Sequence, residues 1–102
     1  MPEHRKLSKI IRDVRAICRE HGYALTEHGT KQRDIDLVAV PWTPKAISCG
    51  DLLKRLGTVE GLTYQSDPTG KPHGRVAATY LFRKGDSFSY IDLSVCPRQG
   101  DW

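Results

Sequence analysis

The chain has 102 residues, of which 38% are hydrophobic and 8% aromatic, so we expect one domain built around a modest core. No stretch approaches the roughly 20 apolar residues of a membrane span, and the N-terminal MPEHRKLSK is not followed by the apolar segment of a signal peptide. The net charge of +4 mildly favours polyanionic partners such as nucleotides or nucleic acid. No membrane partner is expected, and the pattern of cysteines described below predicts a cytoplasmic protein.

The first predicted element is an amphipathic helix over residues 3–21. Its apolar residues recur every three or four positions and share one face: Leu7, Ile10, Ile11, Val14, Ile17 and Cys18. Gly22 follows, as is typical of a helix end. The other faces are rich in basic residues: Arg5, Lys6, Lys9, Arg12, Arg15 and Arg19. These predict either an ordinary solvated surface or an electrostatic contact with a phosphate backbone.

The next two segments predict a β-hairpin over residues 23–42. Strand-like runs at Tyr23–His28 and Asp34–Trp42 are separated by a short polar connection that contains a glycine. From Leu37 to Val40 no polar residue alternates, which is typical of a central strand covered on both faces. Pro41 is expected to end this strand.

The second half repeats the order of a helix followed by a hairpin. Ser48, with Asp51 three residues later, resembles a capping box before a helix at 49–56. Residues 66–74 are dense in glycine and proline and predict a loop, and 75–95 predict a hairpin, with a further short strand at 62–65 as an open alternative. The order α-β-β-α-β-β predicts an α+β fold in which a small mixed or antiparallel sheet has both helices on one face.

Three aspartates lie where strands are expected, although aspartate is depleted in strands. Asp34 and Asp36 begin the most apolar strand and, with a period of two, point to the same face. Asp92 stands between Ile91 and Leu93 in the last strand. Clustered carboxylates require a proton, a basic partner or a cation, and hard oxygen ligands of this kind suit Mg²⁺ or Mn²⁺. The alternative is structural: Asp34 ends the turn, and the other two pair with basic side chains such as Arg33, Lys71 or Arg75.

The pattern His28-Gly29-Thr30, then Asp34-Ile35-Asp36-Leu37, then Ile91-Asp92-Leu93 resembles the nucleotidyltransferase superfamily of the DNA polymerase β type. In that superfamily three carboxylates hold two metal ions for nucleotidyl transfer. The resemblance implies that Asp34, Asp36 and Asp92 are the catalytic metal ligands, and that Gly29 and Thr30 approach the nucleotide phosphates. Threonine replaces the usual serine, and residues 31–33 stand where the family has a short helix. The string HGTKQRDIDLVAVPW is also similar to small phage and prophage proteins.

Four basic side chains are further candidates for contacts with phosphate. Lys71, His73 and Arg75 lie in the loop TGKPHGR, and Arg33 immediately precedes the acidic pair. Cations near metal-bound carboxylates stabilise the charge of a transferring phosphoryl group. The alternative for each is an ordinary solvated side chain.

The cysteines predict reduced thiols. Cys18, Cys49 and Cys96 are an odd number without paired short spacing, which disfavours a disulfide framework. Cys18 belongs to the apolar stripe of the first helix, and its spacing to His21 and His28 matches no closed zinc site.

The sequence therefore supports two functional hypotheses. The first is a small nucleotidyltransferase-like domain that binds a nucleotide or a nucleic-acid end through a divalent metal. The second is a catalytically inactive relative, which binds nucleic acid through its basic first helix or binds a host protein. A site for the metal requires the two aspartate strands to be neighbours, with their carboxylates on one face.

Overall fold

The computed structural model describes residues 7–30, 34–64, 69–70, 74–84 and 87–98, of which 28–30, 34, 84 and 87 are described by their backbone alone. The elements in chain order are α1 (Leu7–Glu20), β1 (Tyr23–Thr30), β2 (Asp34–Pro41), α2 (Cys49–Leu56), β3 (Leu62–Tyr64), β4 (Thr69–Gly70), β5 (Val76–Lys84) and β6 (Ser87–Val95). Two helices and one mixed sheet confirm the predicted α+β class.

The sheet joins two antiparallel hairpins through one parallel pair of strands. Its order is β1-β2-β6-β5-β3, and the short β4 pairs with β5. The pairs β1–β2 and β5–β6 are antiparallel, whereas β2 and β6 run parallel side by side in the middle of the sheet. The start of β2 therefore lies beside the middle of β6, and these two neighbouring segments carry the aspartates.

Helix α1 packs its apolar stripe against the sheet. Ile10, Ile11, Val14 and Cys18 are buried in the same cluster as the inward residues of the strands. The turn after the helix contains Gly22, whose φ of 91° lies in the left-handed region that favours glycine. A Cβ at this position would lie 2.6 Å from Ala46 Cα, so the turn also depends on the missing side chain. Residues 3–6 of the predicted helix lie outside the described residues.

Helix α2 begins as its sequence predicts. The Ser48 hydroxyl accepts a hydrogen bond from the Asp51 backbone N–H, which satisfies one of the donors left unpaired at a helix start. Leu52, Leu53 and Leu56 are buried beneath the helix.

Two buried tyrosines join the helical layer to the sheet. The Tyr23 hydroxyl donates to the Ile47 carbonyl at 2.7 Å, just before α2, and the Tyr80 hydroxyl donates to the Leu53 carbonyl at 3.0 Å. Burial raises the pKa of Tyr80. Each phenol thereby satisfies its polar end within the core, and each fixes the position of the helical layer above its strand.

The prediction that β2 is covered on both faces is wrong. Leu37 and Ala39 are buried beneath the helices, but Val38 is half-buried and Val40 is 38% exposed on the opposite face. An apolar run without alternation therefore marks a central strand here, but not a strand enclosed by two layers.

The loop predicted over residues 66–74 also needs correction. Thr69 and Gly70 form the short strand β4, which pairs with Ala77 and Val76 at the start of β5. A glycine-rich segment can add a short strand to an available edge because this pairing needs backbone groups alone.

Within the described residues, neither helix is long and apolar enough to cross a membrane.

Candidate functional site

Both described helices lie on one face of the sheet, and Asp36 and Asp92 lie on the other. Along β2, Ile35, Leu37 and Ala39 point into the core; along β6, Ile91, Leu93 and Val95 do the same. The alternate residues Asp36 and Asp92 are half-buried and exposed, respectively. We call the sheet face opposite the helices the open face; it carries Asp36, Val38, Thr79, Phe88, Tyr90 and Asp92. Within the described part of the chain, Tyr90 and Asp92 are exposed on this face, and Asp36, Val38 and Thr79 are half-buried.

Asp36 and Asp92 stand directly beside each other on the open face. The parallel register pairs Asp36 with Asp92, and their strands are direct neighbours. In-register Cα atoms of neighbouring strands are about 4.8 Å apart, so carboxylates on the same face approach to a similar distance. This arrangement meets the geometric condition that the metal hypothesis places on these two residues.

We call Asp36 and Asp92 the acidic row. A third strand, β5, places a polar side chain beside it. Thr79 on β5 pairs in register with Asp92, and its hydroxyl donates to Asp92 Oδ1 at 2.9 Å. The hydrogen bond fixes one oxygen of Asp92 on the β5 side.

The Gly29 segment lies on the opposite side of Asp36. The β1–β2 pairing runs through Glu27–Leu37 and resumes at Thr30–Ile35, with a register shift between the two pairs. Two residues of β1, His28 and Gly29, therefore stand opposite the single residue Asp36, which is the arrangement of a β-bulge. The backbone of the predicted phosphate-binding step thus borders the acidic row.

The electrostatics of the row favour a cation. Two carboxylates held side by side repel each other, and a divalent ion between them removes the repulsion while each supplies a hard oxygen ligand. Among the residues that the structure describes, no group of three or more His, Cys, Asp or Glu side chains could hold a metal ion. Asp36 and Asp92 are a pair, and the side chain of the predicted third ligand, Asp34, lies outside that description.

The structure does not place the side chains of the remaining predicted site residues beside Asp36 and Asp92. Asp34 begins β2, and its backbone pairs with Tyr90. Gly29 and Thr30 end β1, with their side chains outside the described residues, and Arg33, Lys71 and His73 also lie outside them. Arg75 precedes β5 by one residue and is four residues from Thr79, which is about 13 Å along a strand.

The chain lacks room for the helix that the nucleotidyltransferase superfamily, which its sequence resembles, has between the glycine step and the acidic pair. β1 ends at Thr30 and β2 begins at Asp34, so residues 31–33 are the whole connection. A helical turn needs about four residues before its first hydrogen bond closes. Phosphate binding at the N-terminus of such a helix is therefore not available to this chain.

Sequence reasoning missed three side chains of the open face: Thr79, Phe88 and Tyr90. Phe88 and Tyr90 precede Asp92 at intervals of two on β6, so the period of a strand could have placed all three on one face. Thr79 had no such signal, because its place beside Asp92 depends on the register of the last hairpin.

The burial of Cys18 disfavours a role for this residue as a nucleophile. Cys18 is fully buried, and burial raises its pKa to about 11 despite the opposing effect of the Arg15 charge. A thiol in that state is a poor nucleophile at neutral pH. Cys49 and Cys96 are partly buried free cysteines.

Comparison of the sequence with protein-family models gave no match, and comparison with curated proteins found none of significant similarity.

Proposed function

We propose that this chain is a small nucleotidyltransferase-like domain that binds a nucleotide or a nucleic-acid end through a divalent metal, with Asp36 and Asp92 as the central ligands. The observation that supports this proposal is the in-register placement of these two residues on neighbouring parallel strands of the open face. Asp34, two residues before Asp36 on the same strand, is the third proposed ligand.

Each residue has a distinct part in the proposed site. Asp36 and Asp92 would supply the oxygen ligands that hold Mg²⁺ or Mn²⁺, and Thr79 orients Asp92 through its hydrogen bond. The bound metal would neutralise phosphate charge and activate an attacking hydroxyl, as divalent metals do in nucleotidyl transfer. The backbone at His28 and Gly29 approaches this row from β1, where a bulge permits close contact with a phosphate group.

Metal binding is tested by thermal unfolding with and without Mg²⁺ or Mn²⁺ at low ionic strength. A ligand at ten times its dissociation constant stabilises the folded state by about 1.4 kcal/mol. In a domain of this size the melting temperature then rises by about 6 to 11 °C. Asp36→Asn is expected to abolish the rise, whereas Asp51→Asn, which removes an exposed carboxylate from the first turn of α2, should leave it intact. Identical melts of the wild type across millimolar metal would contradict the proposal.

Turnover is tested with labelled nucleoside triphosphates, metal and a panel of hydroxyl acceptors. Asp36→Asn and Asp92→Asn should each abolish label transfer, because the amide keeps the shape of the side chain but loses the charge that holds the ion. Asp51→Asn serves again as the matched control. Transfer that survives both substitutions would place the chemistry elsewhere.

A second candidate function is nucleic-acid binding without catalysis through α1. Lys9, Arg12 and Arg19 are exposed on this helix, on the side of the molecule away from the open face. Arg12→Glu with Arg15→Glu should then weaken binding and flatten its dependence on salt, because fewer counterions are released. Asp36→Asn would leave such binding unchanged or stronger, which separates the two candidates.

A further inference from the structure

Two aromatic side chains lie on the open face in line with Asp92. Phe88, Tyr90 and Asp92 alternate along β6 with the inward residues Ser89 and Ile91. Phe88 is 50% exposed and Tyr90 is 37% exposed. Alternate residues of a strand are about 6.7 Å apart, so the two rings and the carboxylate form an evenly spaced line. We call Phe88 and Tyr90 the aromatic pair.

The neighbouring strands place a cation and an apolar side chain beside this line. Arg83 on β5 pairs in register with Phe88, and Leu81 pairs with Tyr90. Arginine beside an aromatic ring suits a base with its attached phosphate, since the guanidinium can contact either. β6 is the middle strand of the sheet, and its pairing with β2 begins at Tyr90, so Phe88 lies toward the end of the open face at the β5–β6 turn.

We infer that the open face binds single-stranded nucleic acid along β6, with bases stacked on Phe88 and Tyr90 and the end of the strand at Asp36 and Asp92. This inference rests on the proposed function for the position of the strand end, but the stacking itself needs no metal. Sheets that bind single strands use exposed aromatic side chains on their central strands in this way. The position of Arg83, in register with Phe88, is complementary to a phosphate group of such a strand.

The acidic pair argues against the other occupants of an exposed aromatic surface. A second copy of the chain, packed face to face, would bring Asp36 and Asp92 of both copies into one desolvated interface, which is unfavourable. A duplex has its base faces already stacked and offers none to the aromatic pair. A single strand with metal at its end satisfies both the rings and the carboxylates.

The test measures binding of labelled single-stranded DNA and RNA 12-mers, and of the matching duplexes, by fluorescence anisotropy in EDTA and again in Mg²⁺. Phe88→Ala and Tyr90→Ala should each weaken single-strand binding by about 5- to 150-fold in both buffers. Tyr90→Phe keeps the ring and should retain affinity. Trp42→Ala is the matched control, because Trp42 is 69% exposed but lies beyond β2, about 20 Å from Asp36 along the strand.

Three results would overturn the inference: wild-type affinity in both alanine variants, an equal loss in Trp42→Ala, or tighter binding of the duplex than of the single strand. A wild-type dimer that Phe88→Ala converts to a monomer, without oligonucleotide binding, would identify a second copy as the occupant and overturn it as well. Circular dichroism of each variant establishes that it is folded.

The two buffers separate this inference from the proposed function. Loss of binding in the alanine variants in EDTA, without any effect of Mg²⁺ on the wild type, supports the aromatic pair and contradicts the metal site. An effect of Mg²⁺ that Asp36→Asn removes, with the alanine variants binding as the wild type does, supports the metal site and contradicts the aromatic pair.

Discussion

Replacing Asp36 by asparagine should stabilise the metal-free protein, although the substitution removes a charge at a proposed site. The amide keeps the size of the side chain and ends the repulsion with Asp92, its in-register neighbour. Two unit charges 5 Å apart repel by about 3 kcal/mol at an effective dielectric constant of 20 and by about 0.8 kcal/mol in water. Because Asp92 is exposed and Asp36 is half-buried, we expect a gain near the lower figure, about 1 kcal/mol.

The assay is thermal unfolding in EDTA at low ionic strength. A gain of about 1 kcal/mol raises the melting temperature of a domain this size by about 4 to 8 °C. The gain should shrink as sodium chloride is added, because salt screens the repulsion. Asp51→Asn is the same chemical change but should have the opposite effect on stability. It removes a carboxylate that interacts favourably with the start of α2, and should lower the free energy of unfolding by about 0.3 to 1 kcal/mol.

An unchanged or lowered melting temperature in Asp36→Asn would refute this reasoning and would indicate that a basic side chain already neutralises the pair. A double-mutant cycle identifies the source of any gain. If the repulsion is mutual, Asp36→Asn and Asp92→Asn together gain less than the sum of the two single changes, because either one relieves it.

Two further predictions concern the core and the first turn. Burial raises the pKa of Cys18 from 9.0 to about 11. As the pH rises, the thiol therefore loses its proton in the unfolded chain before it does so in the folded protein. The contribution of the buried thiol to the free energy of unfolding is complete below pH 9 and is lost as the pH rises from 9 to about 11. Denaturant titrations should show that the free energy of unfolding falls more steeply with pH in the wild type than in Cys18→Ala between pH 9 and about 11. The two slopes should differ by about 1.4 kcal/mol per pH unit. Parallel curves would contradict the raised pKa of Cys18. Gly22→Ala should cost about 2 to 5 kcal/mol in the same titrations, from the left-handed backbone and the overlap with Ala46. Gly50→Ala, with open space around the added Cβ, should instead be neutral or stabilising.

The sequence predicted those parts of the fold that depend on local signals. The stripe of α1, the Ser48 cap of α2 and the alternation of Asp34 and Asp36 are all properties of short windows. The placement of Asp36 beside Asp92 is not, because it requires the two hairpins to dock in one register out of several that local pattern allows.

The open face was missed for a related reason. Val38 and Val40 are as apolar as the buried Leu37 and Ala39, so hydrophobicity alone could not distinguish the covered face from the exposed one. The difference follows from where α1 and α2 pack, and both helices have room on the same side. Phe88 and Tyr90 lie in the predicted last strand. Their alternation with Asp92 is visible in the sequence, but it does not show which face of the strand is covered by helices.

From the parallel pair β2–β6 we also expect that the acidic row forms late in folding. Asp36 and Asp92 are 56 positions apart (92 − 36), whereas each hairpin and helix is closed by local contacts. Contacts of large sequence separation carry the greater loop-closure entropy and tend to form after local ones. Interactions absent from the folding transition state act on the unfolding rate and hardly on the folding rate. A cation bridging the two carboxylates would therefore prolong the lifetime of the native state without accelerating its formation.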